Sequence, residues 1–315
     1  MMPVSLLLLT AASIAPLNGS DTNPGKVFPL FSDLPLVHGF RLSAVRSSHS
    51  PVEVGNIMAV DDSKTPQWRL AQWGTRFSLE SHDMRMLDDG TRVLENDGKR
   101  VKVYSGGLEG NGILLEVRGI REYDGRLRQP GEAWPHLLLE QHLTPQPLKA
   151  LWSLNFSVTF CVEHCKAIPD KPLDPGLHTA HITAFWTIHN INPDSDDHND
   201  MIWFGLPLFD ARHSVPPGHQ AVDRGQEDAT GKFICTIAGD RLYDAPIVIG
   251  EWQTLACDML PLLREALEAA QAQDFLSSTR FEDLAATSFN LGWEVPGPYD
   301  CAITVRDLTL YGRER

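Results

Sequence analysis

The sequence predicts an all-β chain, an antiparallel β-sandwich with one late α-helix. Three observations predict it. In Leu151–Glu163, Trp152, Leu154, Phe156, Val158, Phe160 and Val162 alternate with Ser153, Asn155, Ser157, Thr159 and Glu163. Six matches to a period of two fit a strand with one buried face and do not fit a helix. The turn Asn96-Asp97-Gly98 lies between TRVLE and KRVKVY, and Asp-Gly supplies the positive φ that a tight hairpin needs. Helical periodicity is confined to one segment, Leu260–Ala272, and strands never alternate with helices, which disfavours a parallel sheet.

The elements follow in chain order. Residues 1–35 read as a leader and linker, and 36–315 as a single sandwich domain. Leu6–Ala15 has the length and apolarity of a signal-peptide core, with Ser13-Ile14-Ala15 as small residues for cleavage. No Lys or Arg precedes it. Asn18–Pro35 is rich in Pro, Gly, Asn and Asp, as an irregular lead-in is. Phe40–Val45 and Ile57–Val60 are short strand candidates, and Pro66–Leu79 is extended without a clean period. After the Thr91–Tyr104 hairpin, Gly112–Ile120 points Ile113, Leu115 and Val117 inward, and His136–Leu143 follows. Thr179–His189 and Met201–Asp210 form a central hairpin, then Lys232–Ala238 and Pro246–Cys257 continue the strands. In the helix, Asp258 stands at the N-cap and Pro261 in the first turn, with Leu260, Leu263, Leu267 and Ala270 as the apolar stripe. Ser288–Val295 and Tyr299–Tyr311 close the chain, with a phase slip at Asp307 that predicts a bulge. Trp152, Phe156, Phe160, Ile182, Trp186, Ile303 and Val305 are the expected core.

The ending CAITVRDLTLYGRER resembles the last strand of jelly-roll carbohydrate-binding modules and related concanavalin-like enzymes. The resemblance spans about fifteen residues and implies a jelly-roll sandwich with a carbohydrate-related role. The E-x-D-x-x-E strand of the laminarinase-type hydrolases is absent, as are the Q-I-H and Y-x-K-x-G-x-Y patterns of the jelly-roll alginate lyases.

A formal net charge of -14 over 315 residues argues against nucleic acid or an anionic membrane as partner and favours a neutral or cationic ligand, or none. No stretch reaches the roughly 18–20 apolar residues of a membrane-spanning helix. The five cysteines, Cys161, Cys165, Cys235, Cys257 and Cys301, are an odd number set in apolar strand patterns, which fits buried thiols better than a disulfide framework. The leader favours a secreted or periplasmic location, and the unpaired cysteine count leans the other way. Asn18-Gly19-Ser20 and Asn155-Phe156-Ser157 match the glycosylation triplet, the second in mid-strand. Cys161-Val162-Glu163-His164-Cys165 lacks the second ligand pair of a zinc site.

Candidate chemistry centres on Thr179–His189. One face carries Ala180, Ile182, Ala184, Trp186 and Ile188; the other carries His181, Thr183, Phe185, Thr187 and His189. Exposed strand faces favour Lys, Glu and Arg, so histidines and threonines around one aromatic mark a ligand surface. An aromatic platform with polar neighbours suits a sugar, which has hydroxyl edges and a C–H face. Asn155 and Ser157 are expected nearby, and His142 shares a face with His136 and Glu140. Glu140, Glu294 and His181 are the catalytic candidates: if their strands pair, two carboxylates flank a glycosidic bond, or a histidine removes a proton beside a uronate. The loop Asn190–Asp200 supplies Asp194, Asp196 and Asp200 as oxygen ligands for calcium, without the spacing of an EF-hand. The turn Asp223–Lys232 is charged and placed to line a site mouth.

Three functions remain open on this reading. The leading one is recognition of a neutral glycan by the polar strand face. The second is a glycoside hydrolase or polysaccharide lyase on the same scaffold, and the third is an interaction domain without a small ligand. A sandwich hosts all three, so the fold alone does not choose.

Overall fold

The structure is a computed structural model that describes residues 25–45, 51–224 and 229–315. The signal-like segment, the Asn18 triplet and the middle of the Asp223–Lys232 turn lie outside the described residues. The chain runs through β1 (Val27–Pro29), β2 (Phe40–Val45), β3 (Pro51–Ile57), β4 (Trp68–Ala71), β5 (Met84–Met86), β6 (Arg92–Glu95), β7 (Lys99–Val103) and β8 (Ile113–Arg118). A one-turn helix α1 (Gly119–Glu122) precedes β9 (His136–Pro147), β10 (Leu151–Ala167), β11 (His181–Asn190), β12 (Met201–Asp210), β13 (His219–Val222) and β14 (Phe233–Thr236). Then come β15 (Trp252–Asp258), α2 (Met259–Gln271), β16 (Leu284–Glu294) and β17 (Tyr299–Glu314).

These strands make two sheets. One has the order β15-β10-β17-β8-β7-β6-β5, with β1 added beside the end of β17. The other has nine strands in the order β13-β14-β12-β11-β16-β9-β4-β2-β3. Pairing is antiparallel except for β12 with β14 and β2 with β4. The β-sandwich with one long helix is therefore the observed fold. Its core forms where alternation turns the apolar faces of the two sheets together. Phe156 of β10 meets Trp186 of β11 edge-on at 4.7 Å, and Trp186 lies 5.0 Å from Phe289 of β16. All three are buried. The α2 helix packs its leucine stripe against this core, and Asp258 caps it by accepting from Leu260 N at 3.1 Å. The same Asp258 oxygen accepts from Leu154 N at 3.0 Å, so the cap also anchors the helix to β10.

The slip at Asp307 is a bulge: pairing shifts between Ser157 opposite Thr309 and Thr159 opposite Arg306, and Asp307 takes φ 50°. One expected core residue is corrected. Trp152 is 52% exposed, because a register shift between Leu151 and Ser153 turns Leu151 inward and Trp152 out. Several boundaries also move. Val27–Pro29, inside the stretch read as a lead-in, pairs with Tyr311–Arg313. The second short strand is Pro51–Ile57, only Trp68–Ala71 of Pro66–Leu79 is strand, and Pro246–Cys257 begins its strand at Trp252. Short pieces such as β5 and β13 have too few residues to show a period, and only pairing with a neighbour defines them.

Candidate active site

The strand order sets β16 between β9 and β11 on the outer face of the nine-stranded sheet. Alternation buries Trp293 and turns Glu294 outward. The register then places His136 beside Glu294 on one side and His181 on the other, with Asp210 beyond His181 on β12. The result is a row of His136, Glu294, His181 and Asp210 across four hydrogen-bonded strands.

The first three side chains are in contact. Glu294 Oε2 lies 3.2 Å from His136 Nε2 and 3.7 Å from His181 Nε2, and accepts from Trp134 Nε1 at 3.4 Å. His136 Nδ1 is 3.0 Å from the Trp134 carbonyl. The His136 ring thus spans the Trp134 carbonyl and the Glu294 carboxylate, one on each nitrogen. Trp73 stands edge-on to His136 at 5.7 Å, and the Arg128 guanidinium lies 5.3 Å over the Trp134 ring. The three side chains stay 20–26% exposed, so a ligand can reach them.

Burial alone would raise the Glu294 carboxyl. The charge and hydrogen bond of His136, followed by those of His181, instead hold it well below its ordinary value. Burial would lower His181, but the Glu294 contact and charge, with Asp210 adding, leave it raised. Both shifts favour a carboxylate beside an imidazolium. Asp210, although mostly buried, is held down to about 2 by Arg212 and Thr179, whose Nη2 and hydroxyl lie 2.6 and 2.9 Å away.

Other candidates fall elsewhere, and three expectations are corrected. Glu140 does not converge with Glu294. It sits four residues along β9 from His136, about 13 Å at strand rise, and is ion-paired with Arg69 of β4. Nor does His189 join His181, being eight residues, roughly 26 Å, further along β11. Asn155 and Ser157 belong to β10 in the other sheet, so they face the opposite side of the sandwich.

Along the outer face between the two histidines, Thr183 and Thr187 are nearly buried and Phe185 is half-exposed. The Phe185 ring lies over Gly205, where a Cβ would come within 2.6 Å of it, and meets Trp203 edge-on at 6.3 Å. At the far end, His189 Nδ1 is 2.7 Å from the Thr287 hydroxyl, which lies 2.7 Å from that of Thr187. Thr187 is in turn 2.6 Å from Ser288. His142, exposed on β9, stands opposite Ser288.

In the acidic loop Asp194 and Asp196 are exposed, Asp200 pairs with Lys232 at 2.9 Å, and Asp197 accepts from Ser278 N and the Thr279 hydroxyl at 2.7 and 3.0 Å. Among the described residues no group of three or more His, Cys, Asp or Glu side chains is placed to hold a metal ion. The loop instead uses its carboxylates to tie the β11–β12 hairpin to the segment before β16. A surface cavity of about 420 Å³ lies apart from the row, between α2 and the β13–β14 edge. Its charged lining residues, Arg241 and Glu265, are paired with each other at 3.0 Å, which leaves no free charge for a ligand.

Sequence reasoning missed Trp134, Trp73 and Arg128. Trp134 stands alone in a Pro- and Gly-rich turn, and only its placement over His136 gives it meaning.

No protein-family model matches this chain, and no curated protein matches it in sequence. Several solved structures align with most of the chain at low similarity. A family 12 xyloglucanase from Bacillus licheniformis aligns over 77% of this chain and 100% of its own, at 11% identity and a TM-score of 0.42. The endoglucanase Cel12A from Rhodothermus marinus covers 74% of this chain and 96% of its own, at 9% identity and a TM-score of 0.37. A family 11 xylanase from Neocallimastix patriciarum covers 77% of this chain and 100% of its own, at 8% identity and a TM-score of 0.34. The likeness is one of overall layout, too distant in sequence to assign counterparts to Glu294 or its histidines.

Proposed function

We propose that this is a carbohydrate-active protein that lays a neutral polysaccharide along the outer face of the nine-stranded sheet and cleaves it at the Glu294 end. The observation that carries the reading is the Glu294 carboxylate held between His136 and His181 on a face that ligands can reach. Cleaving a glycosidic bond requires a proton for the departing oxygen and negative charge near the anomeric carbon as positive charge develops there. His181 supplies the proton from Nε2 as the glycosidic C–O bond breaks, water adds to the anomeric carbon, and the neutral imidazole takes up the proton that the water gives off. Glu294 keeps His181 charged and oriented, and opposes the positive charge of the transition state. Phe185 and Trp203 form the apolar platform, and the hydroxyls of Thr187, Thr287 and Ser288, with His189, meet sugar hydroxyls further along.

Binding without cleavage is the second reading, favoured by the position of Glu140. Hydrolases that use two carboxylates hold them roughly 5–10 Å apart, and Glu140 stands beyond that reach, tied to Arg69.

The test incubates the protein with β-1,4-glucan, xyloglucan, xylan and a uronate polysaccharide, reading reducing ends and the absorbance of unsaturated uronates. Product that disappears in Glu294→Gln and His181→Ala, each shown by circular dichroism to be folded at the assay temperature, supports cleavage. Binding with no product leaves the second reading. Neither binding nor product removes both.

A further inference from the structure

Among the described residues the exposed aromatic rings are Trp152, Trp252 and Tyr311, at 52%, 46% and 41%. All three lie on the outer face of the eight-stranded sheet, on or between its neighbouring strands β10, β15 and β17, on the side of the molecule opposite Glu294. Tyr311 stands across from Asn155 and Trp252 across from Cys161, six residues or about 20 Å apart along β10. Trp152 lies three residues before Asn155, about 10 Å further out in the same line. Along β10 the surface between the rings is hydroxyl and amide, while the neighbouring β17 sets Arg313 across from Ser153 and Arg306 across from Thr159. From Ser153 to Thr159 the outward positions of β10 carry no charge, and Thr159 bonds the Thr254 hydroxyl at 3.0 Å across the pair. An exposed sheet face in a chain of net charge -14 ordinarily carries its share of those charges. Two of the rings are also held in place: the Arg306 guanidinium lies 4.1 Å from Trp252 and that of Arg315 5.1 Å from Trp152.

We propose that this face is a second carbohydrate-binding surface, which holds an extended, neutral polysaccharide chain across Trp152, Tyr311 and Trp252. Each alternative occupant fits less well. A folded protein partner favours a contiguous apolar patch, whereas these rings are separated by hydroxyl-bearing residues. A small ligand needs a concave pocket, and this is a flat strand face about 30 Å long, at strand rise. Separated rings with hydrogen-bonding side chains between them match a polymer whose sugar units offer C–H faces and hydroxyl edges by turns. The uncharged β10 positions complement an uncharged polymer, and the guanidiniums of Arg306 and Arg313 beside them donate to sugar hydroxyls. The surface shares its ligand class with the function proposed above but none of its residues, so each can fail without the other.

The test is depletion of the full-length protein by insoluble polysaccharides, namely microcrystalline cellulose, insoluble xylan and chitin. Trp152→Ala, Trp252→Ala and Tyr311→Ala, singly and together, are compared with Glu294→Gln and Phe185→Ala. The expected result is retention on at least one solid, weakened about tenfold by each ring removed, the order seen when an aromatic anchor is truncated. Glu294→Gln and Phe185→Ala act on the other face, so any loss they cause should add to the loss caused by the ring substitutions and not replace it. Ser157→Arg, at a half-buried outward position, puts a long charged side chain in the middle of the strip and should block binding while melting is unchanged. Undiminished retention of the triple variant overturns the proposal, as does the absence of retention on all three solids. So does a wild-type dimer, by light scattering, that the triple variant converts to monomer, because the face would then be covered by a second copy.

Discussion

At the scale of single residues, Glu294 and His181 hold each other in opposite charge states, and stability should record it. The Glu294 carboxyl is depressed below the ordinary 4.5, so its contribution is present above that pH and is lost as pH falls through the depressed value. His181 is raised above 6.5, so its contribution is complete below 6.5 and is lost as pH rises through the raised value. Both act together between about pH 4.5 and 6.5. The difference in melting temperature between wild type and Glu294→Gln should therefore be largest in that window and shrink as pH rises through the raised His181 value. Calorimetry across pH checks it, and a flat difference would show that the contact carries no linkage. Phe185 and Trp186 give a second contrast, one residue apart on opposite faces of β11. Trp186 is fully buried against Phe156 and Phe289, so Trp186→Ala should cost about 3–5 kcal/mol. Phe185 is half-exposed over Gly205, so Phe185→Ala should melt much closer to wild type while weakening glycan binding. Denaturant melts beside a binding assay decide it, and equal destabilisation would make Phe185 a core residue.

At the scale of elements, register does most of the work. One strand position fixes Glu294 between two histidines, because β16 pairs with β9 and β11 at once. Two bulges re-aim the flanks. The register shift around Thr287 brings its hydroxyl to His189, and the shift beside Trp152 turns that ring to solvent. The α2 helix depends on Asp258, whose carboxylate accepts from Leu260 N and from Leu154 N. Asp258→Ala should cost about 1–2 kcal/mol from the cap, and Asp258→Asn should recover most of it, since an amide oxygen still accepts. Equal losses in the two variants would show that the charge, not the acceptor, holds the helix.

At the scale of the whole molecule, the sandwich presents two faces with different equipment. The nine-stranded sheet carries the titrating row, and the eight-stranded sheet carries aromatic rings set among hydroxyls. The overall charge of -14 has little to act on if the ligand is a neutral glycan. Affinity for such a glycan should hold steady between roughly 50 and 500 mM salt, because no pair of opposite charges forms that salt could screen. Calorimetric titration at both ends of that range checks it, and a steep fall with salt would point to a charged ligand.

The sequence by itself determined the parts that depend on local periodicity. The alternation in Leu151–Glu163 and Thr179–His189, the Asn96-Asp97-Gly98 turn, the Asp258-capped helix and the slip at Asp307 each declare themselves within a dozen residues, because strand and helix periods are local. His181 and Glu294 were legible as outward-facing polar residues at the ends of two strands. Their contact was not, since 113 positions separate them in the chain and only the antiparallel register of β11 and β16 brings them together. The tertiary structure alone decided that Glu140 is held by Arg69, that Asn155 faces the other side, and that Trp134 closes over His136. A side-chain period of two tells which residues share a face of one strand. Which strands share a sheet, and at what offset, is set by the packing of the whole core, and the site is a product of that offset.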